Sequence, residues 1–379
     1  VSLGPPPLSA AAAEPARLEA LDGLRGAAIL AVVLFHAMFL DPALLGSSRP
    51  ATTEWYPSLA LLGWCGVDVF FVLSGFLITG ILLRSKGAPG YFHNFYARRA
   101  LRIFPLYYLV VGLLLFGLGR PATSGAEKAS YLLYYQNVRY ALVGEGTFDA
   151  ARLVTWSLAI EEQFYLVWPT VVWLCSRRAL ARVCVAVAVG AIALRLWLLA
   201  GGLHTTHFLT PCRLDTLAAG ALLALRPPPP RWLGVALAWL GVGGLLAVAR
   251  TTGNPFPESI PMQRWGLLAA LALAIGLLTL ARQPGLVAAL CRFGPLRALG
   301  QVSYCVYLVH YLVVELVAHA VQALPDGVGQ AVAAALPPQA VAALLGLCCL
   351  CGSWLIAAAS WRLFEAPILR LKRFFPSGG

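Results

Sequence analysis

The chain has 379 residues, 60% of them hydrophobic and 12% charged, with a mean hydropathy of +0.77. Charge depletion over that length excludes an ordinary soluble domain and points to a polytopic membrane protein. The net charge of +12 would suit nucleic acid, but the Lys and Arg residues sit in short clusters between apolar segments. They read as topology signals, so nucleic-acid binding is set aside.

Residues 1–20 lack the basic-then-apolar pattern of a leader, so they are expected to be a cytoplasmic tail ahead of a first membrane helix that directs insertion. That helix is the stretch LDGLRGAAILAVVLFHAMFL, residues 21–40, with Arg25 near one end and His36 near the other. At helical rise and pitch the two lie about 16 Å apart on one face. Apolar stretches long enough to span follow, giving ten in all: 24–40, 59–83, 103–119, 153–175, 180–200, 209–225, 232–249, 265–281, 303–323 and 339–362. With the N-terminus in the cytoplasm, the inner segments hold nineteen Lys and Arg residues. The outer loops hold seven, namely Arg49, Arg120, Lys128, Arg139, Arg152, Arg250 and Arg264, and only Arg195 and Arg213 stay inside spans. This positive-inside bias predicts an all-α bundle of about ten transmembrane helices with both termini cytoplasmic. One domain is expected over 21–370, followed by a cytoplasmic tail at 371–379.

The stretch from Arg120 to Arg152 contains YLLYYQNVRYALV, which suits an interfacial or re-entrant segment better than a span. Pro227 to Pro230 predict a stiff inner hairpin, and Pro105 and Pro169 are expected to kink their helices. Most of the nine cysteines fall within or beside apolar segments. Small hydrophobic packing is expected of them, without metal or disulfide chemistry.

A charge at mid-bilayer costs about 2.5–3.5 kcal/mol even on insertion scales, so several need a shared explanation. Here they are Asp68, Glu161, Glu162, Arg213, Asp215 and Glu315, with His36, His310 and His319. Helix direction places His36, Asp68, Glu161 and Arg213 in the middle or outer half, as one polar layer opening outward. Arg213 and Asp215, two residues apart, face different directions, so each should pair with another helix. A purely structural ion pair is the rival reading. Glu161 and Glu162 cannot both ionise in a low dielectric, so one should be protonated or held by arginine. Ser157 lies one turn before Glu161 on the same face, the pattern of a lined cavity. His319 reads as interfacial. On the inner side Arg98, Arg99 and Arg102 open the third helix; they could meet lipid headgroups or clamp phosphates, with Arg25 at the same depth.

These blocks together resemble the integral-membrane acyltransferases of the acyltransferase-3 family. The resemblance rests on LDGLRGAAILAVVLFH, GVDVFFVLSGFLITGIL, YARRALRIFPLYYL, WSLAIEEQFYL, RLDTLAAG, SYCVYLVHY and FEAPI, in that order, from about residue 18 to 370. It implies a membrane-bound O-acyltransferase of the plasma (bacterial inner) membrane that takes an acyl group, acetyl being expected, from cytoplasmic acyl-CoA. No metal is implied. The acceptor would be a hydroxyl of a glycan or a macrolide-like molecule, and a homodimer is left open.

Carried onto this chain, the resemblance implies His36 for proton transfer and Arg25 for positioning, with Arg25, Arg99 and Arg102 for the donor phosphates. Glu161 is the further catalytic candidate, although TWSLAIEEQ leaves open which of its two glutamates functions. Asp68, Ser74, Trp156, Ser157, Glu162, Arg213, Asp215, Tyr304, Tyr307 and His310 are the candidates for the substrate site, some of them orienting His36. His36 would act as general base or carry the acyl group itself. One continuous passage is expected from the arginines to the imidazole. The alternative is a transporter or exporter of a small anion or glycan using the same polar layer.

Overall fold

The computed structural model describes residues 8–38, 40, 60–117, 124–143, 149–325 and 327–376; for 8–18, 333 and 338 only the backbone is described. Arg49 and Arg120 of the outer tally, and parts of both terminal tails, lie outside the described residues. Among those described, all regular structure is helical. The helices are α1 (Leu8–Ala37), α2 (Gly66–Ser85), α3 (Tyr91–Phe116), α4 (Gly125–Leu132), α5 (Gln136–Val143), α6 (Ala150–Leu153) and α7 (Trp156–Leu174). They continue with α8 (Arg177–Ala200), α9 (Thr210–Ala224), α10 (Arg231–Thr252), α11 (Leu267–Ala281), α12 (Leu286–Cys291) and α13 (Gly294–Gln301). The last are α14 (Ser303–Gln322), α15 (Val328–Ala335), α16 (Pro338–Ser360) and α17 (Ala366–Leu369). π-helical turns run over Met262–Gly266 and Trp361–Glu365.

Eight helical stretches among the described residues are long and apolar enough to cross a membrane: Glu19–Ala37, Gly63–Ser85, Tyr91–Phe116, Arg177–Ala200, Arg231–Thr252, Met262–Ala281, Ser303–Gln322 and Gln339–Phe374. Two of the ten expected stretches are helices outside this set, and the reasons are physical. α9 has 15 residues, about 22 Å, which is short of a hydrocarbon core of about 30 Å. α7 has 19 residues but carries Glu161, Glu162 and Gln163 in its first half. These two interior helices bring most of the polar groups into the bundle.

Position in the bundle follows polarity. In the α2 stretch 72% of residues are buried, against 22% for α8 and 17% for α10, so α2 is central and the other two are peripheral. α8 and α10 turn Val189, Trp197, Trp239 and Leu240 outward, as helices facing lipid must. α2 and α9 meet through small residues: a Cβ on Gly75 would lie 1.9 Å from the Leu217 carbonyl oxygen, and one on Gly220 would lie 2.0 Å from that of Val72. This close approach puts the side chains of Asp68 and Arg213 within reach of each other.

The stretch after α3 folds as two short helices, α4 and α5, and residues 118–123 and 144–148 lie outside the described set. Tyr131, Gln136, Asn137 and Tyr140 are buried there while Leu133 and Leu142 are exposed, the amphipathic pattern expected of an interfacial segment. Asn137 Nδ2 donates to the Phe208 carbonyl at 3.0 Å, and Gln163 Nε2 donates to Asn137 Oδ1 at 2.9 Å. This amide chain fastens α5 to α7 and to the start of α9. Pro105 and Pro169 both lie inside continuous helices, and 227–230 has no regular structure.

Candidate active site

His36 sits in the last turn of α1, where Val32, one turn earlier, offers its carbonyl. His36 Nδ1 lies 3.0 Å from that oxygen and 3.1 Å from His310 Nε2 of α14. His310 Nδ1 lies 2.7 Å from the Tyr307 carbonyl. Carbonyl oxygens only accept, so a proton sits on each Nδ1. His310 Nε2 then carries a lone pair facing His36 Nδ1–H, and both rings can be neutral together. The basic lone pair of His36 is thereby placed on Nε2. Tyr311 packs edge-on against the ring at 5.5 Å and Phe35 at 4.9 Å, which fixes its plane.

His36 lines a cavity of about 400 Å³ with Trp64, Asp68, Trp156, His207 and Arg213. Arg213 Nη2 donates to Asp68 Oδ1 at 2.7 Å, and both side chains are almost fully buried. Among the described residues, Asp68 Oδ2 and Arg213 Nε and Nη1 have no hydrogen-bond partner. Buried polar atoms without partners are costly, and these belong to two residues of one cavity wall. A second pair lies behind: Arg195 Nη1 donates to Asp215 Oδ2 at 2.7 Å and to the Cys212 carbonyl at 2.8 Å. Arg213 and Asp215 therefore pair with two different helices, as their spacing requires. Burial, and then the nearby charge of Arg213, push His207 down to about 3.

A second cavity of about 210 Å³ is lined by Arg25, Ser74, Arg99, Arg102, Ser157, Glu161, Glu162, Tyr165, Tyr304 and Tyr307. Arg25 pairs with Asp22 on its own helix at 2.9 Å. Arg99 and Arg102 form no ion pair or hydrogen bond among the described residues; their guanidinium groups lie 5.7 Å from the Tyr165 ring and 5.6 Å from the Trp361 ring. Glu161 meets the hydroxyls of Ser74 and Tyr165, which also bond each other. Tyr304 donates to the Ile103 carbonyl at 3.0 Å.

The expected single passage is two chambers. Val67 and Tyr307 line both. Tyr307 Oη donates to the Val154 carbonyl at 2.9 Å and lies 2.6 Å from Ser157 Oγ, which must then be the donor in that bond. Phe70 packs edge-on against the Tyr307 ring at 6.3 Å. The wall is thus one bulky ring held at its tip.

The sequence candidates divide between the chambers. His36, Asp68, Trp156 and Arg213 line the histidine chamber, and Arg25, Arg99, Arg102, Ser74, Ser157, Glu161, Glu162 and Tyr304 line the basic one. Glu161 stands with the arginines, and the group that meets His36 is His310. His310 is itself fully buried, with both ring nitrogens engaged. Asp215 lies behind the wall, against Arg195. Sequence reasoning missed Trp64, His207 and Tyr311 in the histidine chamber, Tyr165 in the basic one, and the partnership of Arg195. His207 had a signal, an HTTHF loop directly before the polar α9; Trp64 and Tyr311 had none beyond being aromatic.

A multi-pass helical bundle with an imidazole in one chamber, and in the next Arg99 and Arg102 that form no ion pair among the described residues, has parts that suit an integral-membrane group-transfer enzyme. The chain belongs to the acyltransferase-3 family: the model of that family's acyltransferase domain matches residues 18–358. It is accordingly a multi-pass membrane protein of the cell membrane that carries an acyltransferase domain over most of its length. Among curated relatives, it is 27% identical to the peptidoglycan O-acetyltransferase OatA of Listeria monocytogenes, covering 92% of this chain and 55% of that protein. It is 31% identical to YrhL of Bacillus subtilis, provisionally named as a peptidoglycan O-acetyltransferase, covering 78% and 48%. With the O-acetyltransferase OatA of Staphylococcus aureus the figures are 26% identity, 80% and 51%. The chain thus spans about half the length of these relatives. No solved structure matches it.

Proposed function

We propose that this chain moves an acetyl group from cytoplasmic acetyl-CoA to a hydroxyl of a cell-wall glycan, of the class named in its relatives. In this reading α7 and α9 complete ten crossing segments, both termini are cytoplasmic, and the basic chamber opens to the cytoplasm. The histidine chamber opens outward and receives the acceptor. Three arginines fit the phosphate-bearing donor, because their planar donor forks match phosphate oxygens.

The chemistry follows from the tautomer. His36 Nε2 takes the proton of the acceptor hydroxyl, and the oxygen attacks the thioester carbonyl. The new C–O bond forms as the C–S bond breaks, and the proton on His36 passes to the departing thiolate. His310 accepts from His36 Nδ1–H throughout and stabilises the imidazolium. Arg213 Nε and Nη1 donate to sugar oxygens, Asp68 Oδ2 accepts from a sugar hydroxyl, and Trp156 or Trp64 offers a face for the ring. The thioester reaches His36 past Tyr307, whose ring must swing aside.

The observation that carries this reading is the shared cavity: a histidine whose Nδ1 is held by a carbonyl, which leaves Nε2 as its base, stands in one cavity with Arg213 donors and an Asp68 acceptor that have no partner among the described residues. The test is His36→Ala in membranes supplied with acetyl-CoA, with acetyl esters on cell-wall glycans counted by mass spectrometry. Transfer should fall by at least about a hundredfold while insertion and expression hold. Full activity in that variant would remove the mechanism.

A further inference from the structure

The chain between α10 and the π-helical turn at Met262–Gly266 takes no part in the chemistry above, yet Phe256, Pro257 and Glu258 from it line the histidine chamber with His36, Asp68 and Arg213. Pro255 and Pro257 restrict its backbone, so it enters the fold as a stiff strap. It is fastened at both ends. Trp64 Nε1 donates to the Pro255 carbonyl at 2.9 Å, and the Phe256 N–H donates to Asn254 Oδ1 at 3.0 Å. Gln263 Nε2 donates to the Glu258 carbonyl at 2.8 Å, while Gln263 Oε1 accepts from Thr206 Oγ1 at 2.6 Å. The Phe256 ring packs on that of Phe35 at 6.3 Å. Phe35 directly precedes His36, and Trp64 lies four residues before Asp68. The strap is therefore fixed to the two elements that carry His36 and Asp68.

Glu258 is exposed and also lines the chamber, so it stands where the cavity meets the surface. Its carboxylate meets its own backbone N–H, and among the described residues it is in no ion pair. The other charges in the wall cancel. Asp68 and Arg213 neutralise each other at 2.7 Å, His207 with its value of about 3 is uncharged at neutral pH, and the tautomer of His36 leaves that ring neutral. Among the described lining residues Glu258 is thus the uncompensated charge, and it is negative. A carboxylate so placed accepts from a hydroxyl and repels a second anion. At about 400 Å³ the chamber falls within the roughly 300–1,000 Å³ of sites for drug-sized ligands, so a disaccharide unit fits.

We propose that Glu258 is the acceptor-selecting residue of this chamber: it receives a hydroxyl of an uncharged sugar at the mouth while the unit to be acetylated lies deeper, at Asp68 and Arg213. A glycan with a carboxylate or phosphate on the mouth unit is turned away. The inference rests on the acetyl-transfer reading above and narrows its acceptor to stretches of uncharged sugars.

Full-length protein in nanodiscs is titrated by calorimetry with tri-N-acetylchitotriose, which is uncharged, and with a hyaluronan tetrasaccharide, which carries carboxylates; acetyl transfer from acetyl-CoA to each is followed by mass spectrometry. The wild type should bind the uncharged sugar about tenfold or more tighter than hyaluronan. Glu258→Gln should weaken binding of the uncharged sugar about tenfold, as one charge-assisted hydrogen bond is lost, so that the two sugars bind alike. Glu258→Lys should reverse the preference, which a merely structural role would not do. The melting temperature and the KM for acetyl-CoA should stay at their wild-type values in Glu258→Gln. An unchanged sugar preference in that variant overturns the proposal, as does a wild type that binds both sugars equally or neither. Transfer that His36→Ala abolishes, with a preference indifferent to Glu258, removes the proposal and keeps the transfer reading. Sugar binding that depends on Glu258 without transfer from acetyl-CoA upholds the selecting residue and defeats the transfer reading alone.

Discussion

At Asp68 a carboxylate and the Arg213 guanidinium meet at 2.7 Å with almost no solvent. Removing one partner of such a pair leaves a buried charge unmatched, at a cost of about 3–5 kcal/mol. Asp68→Asn should therefore lower the melting temperature in detergent sharply, and adding Arg213→Gln should recover part of the loss. An unchanged melting temperature in the single variant would mean that the pair carries no coupling. His207 offers a second readout. Its folded value of about 3 lies below the unfolded value of about 6.5, so the unfolded chain binds the extra proton between them. Stability is thus intact above about pH 6.5 and falls as the pH drops toward 3, by up to about 1.4 kcal/mol per unit. The melting temperature should fall more between pH 7.5 and pH 5 in the wild type than in His207→Asn; an identical fall would exclude a neutral buried ring. Legibility at this scale is uneven. Asp68, Arg213 and His36 stood out because polar groups in apolar helices are expensive, whereas Trp64 and Tyr311 resemble any membrane aromatic until a cavity lies beside them.

Among the elements, α9 and α2 show how short sequences impose a crossing. A Cβ at Gly220 would fall 2.0 Å from a backbone oxygen of Val72, which no rotamer change can relieve. Gly220→Ala must push the helices apart, so a loss of about 1–3 kcal/mol is expected, together with loss of transfer as Asp68 and Arg213 separate. Gly112→Ala is the control: a Cβ there meets nothing within 4 Å, so thermal stability should hold or rise slightly. Equal behaviour of the two variants would show that the contact is not tight. The sequence displayed α9 as a polar-centred segment of spanning character. Its length of 15 residues is a property of where Leu209 and Leu225 cap it, and hydropathy averaging does not register such ends.

For the whole molecule, the consequential feature is a partition into chambers with different chemistry. If Arg99 and Arg102 serve the donor side only, replacing both by Gln should raise the KM for acetyl-CoA much more than that for the acceptor. Equal changes in the two constants, or none in the donor's, would return these arginines to anchoring the protein at the membrane surface. The expectation of one open passage failed at Tyr307, because hydropathy and spacing say that a helix is lined on one face but not how wide the space in front of it is.

Chain composition and apolar segment lengths were sufficient for an all-helical, multi-pass bundle, since burying apolar length in a bilayer is a constraint on the sequence itself. The ordered motifs were sufficient for the acyltransferase-3 assignment. Which polar group meets which was settled only by the tertiary packing: His310 beside His36, Arg195 behind Asp215, and Glu161 among the arginines. The reason is that helical periodicity fixes the direction of a side chain on its own axis, while its partner depends on the rotation and approach of a different helix, 20 residues away for Arg195 and Asp215 and 274 for His36 and His310.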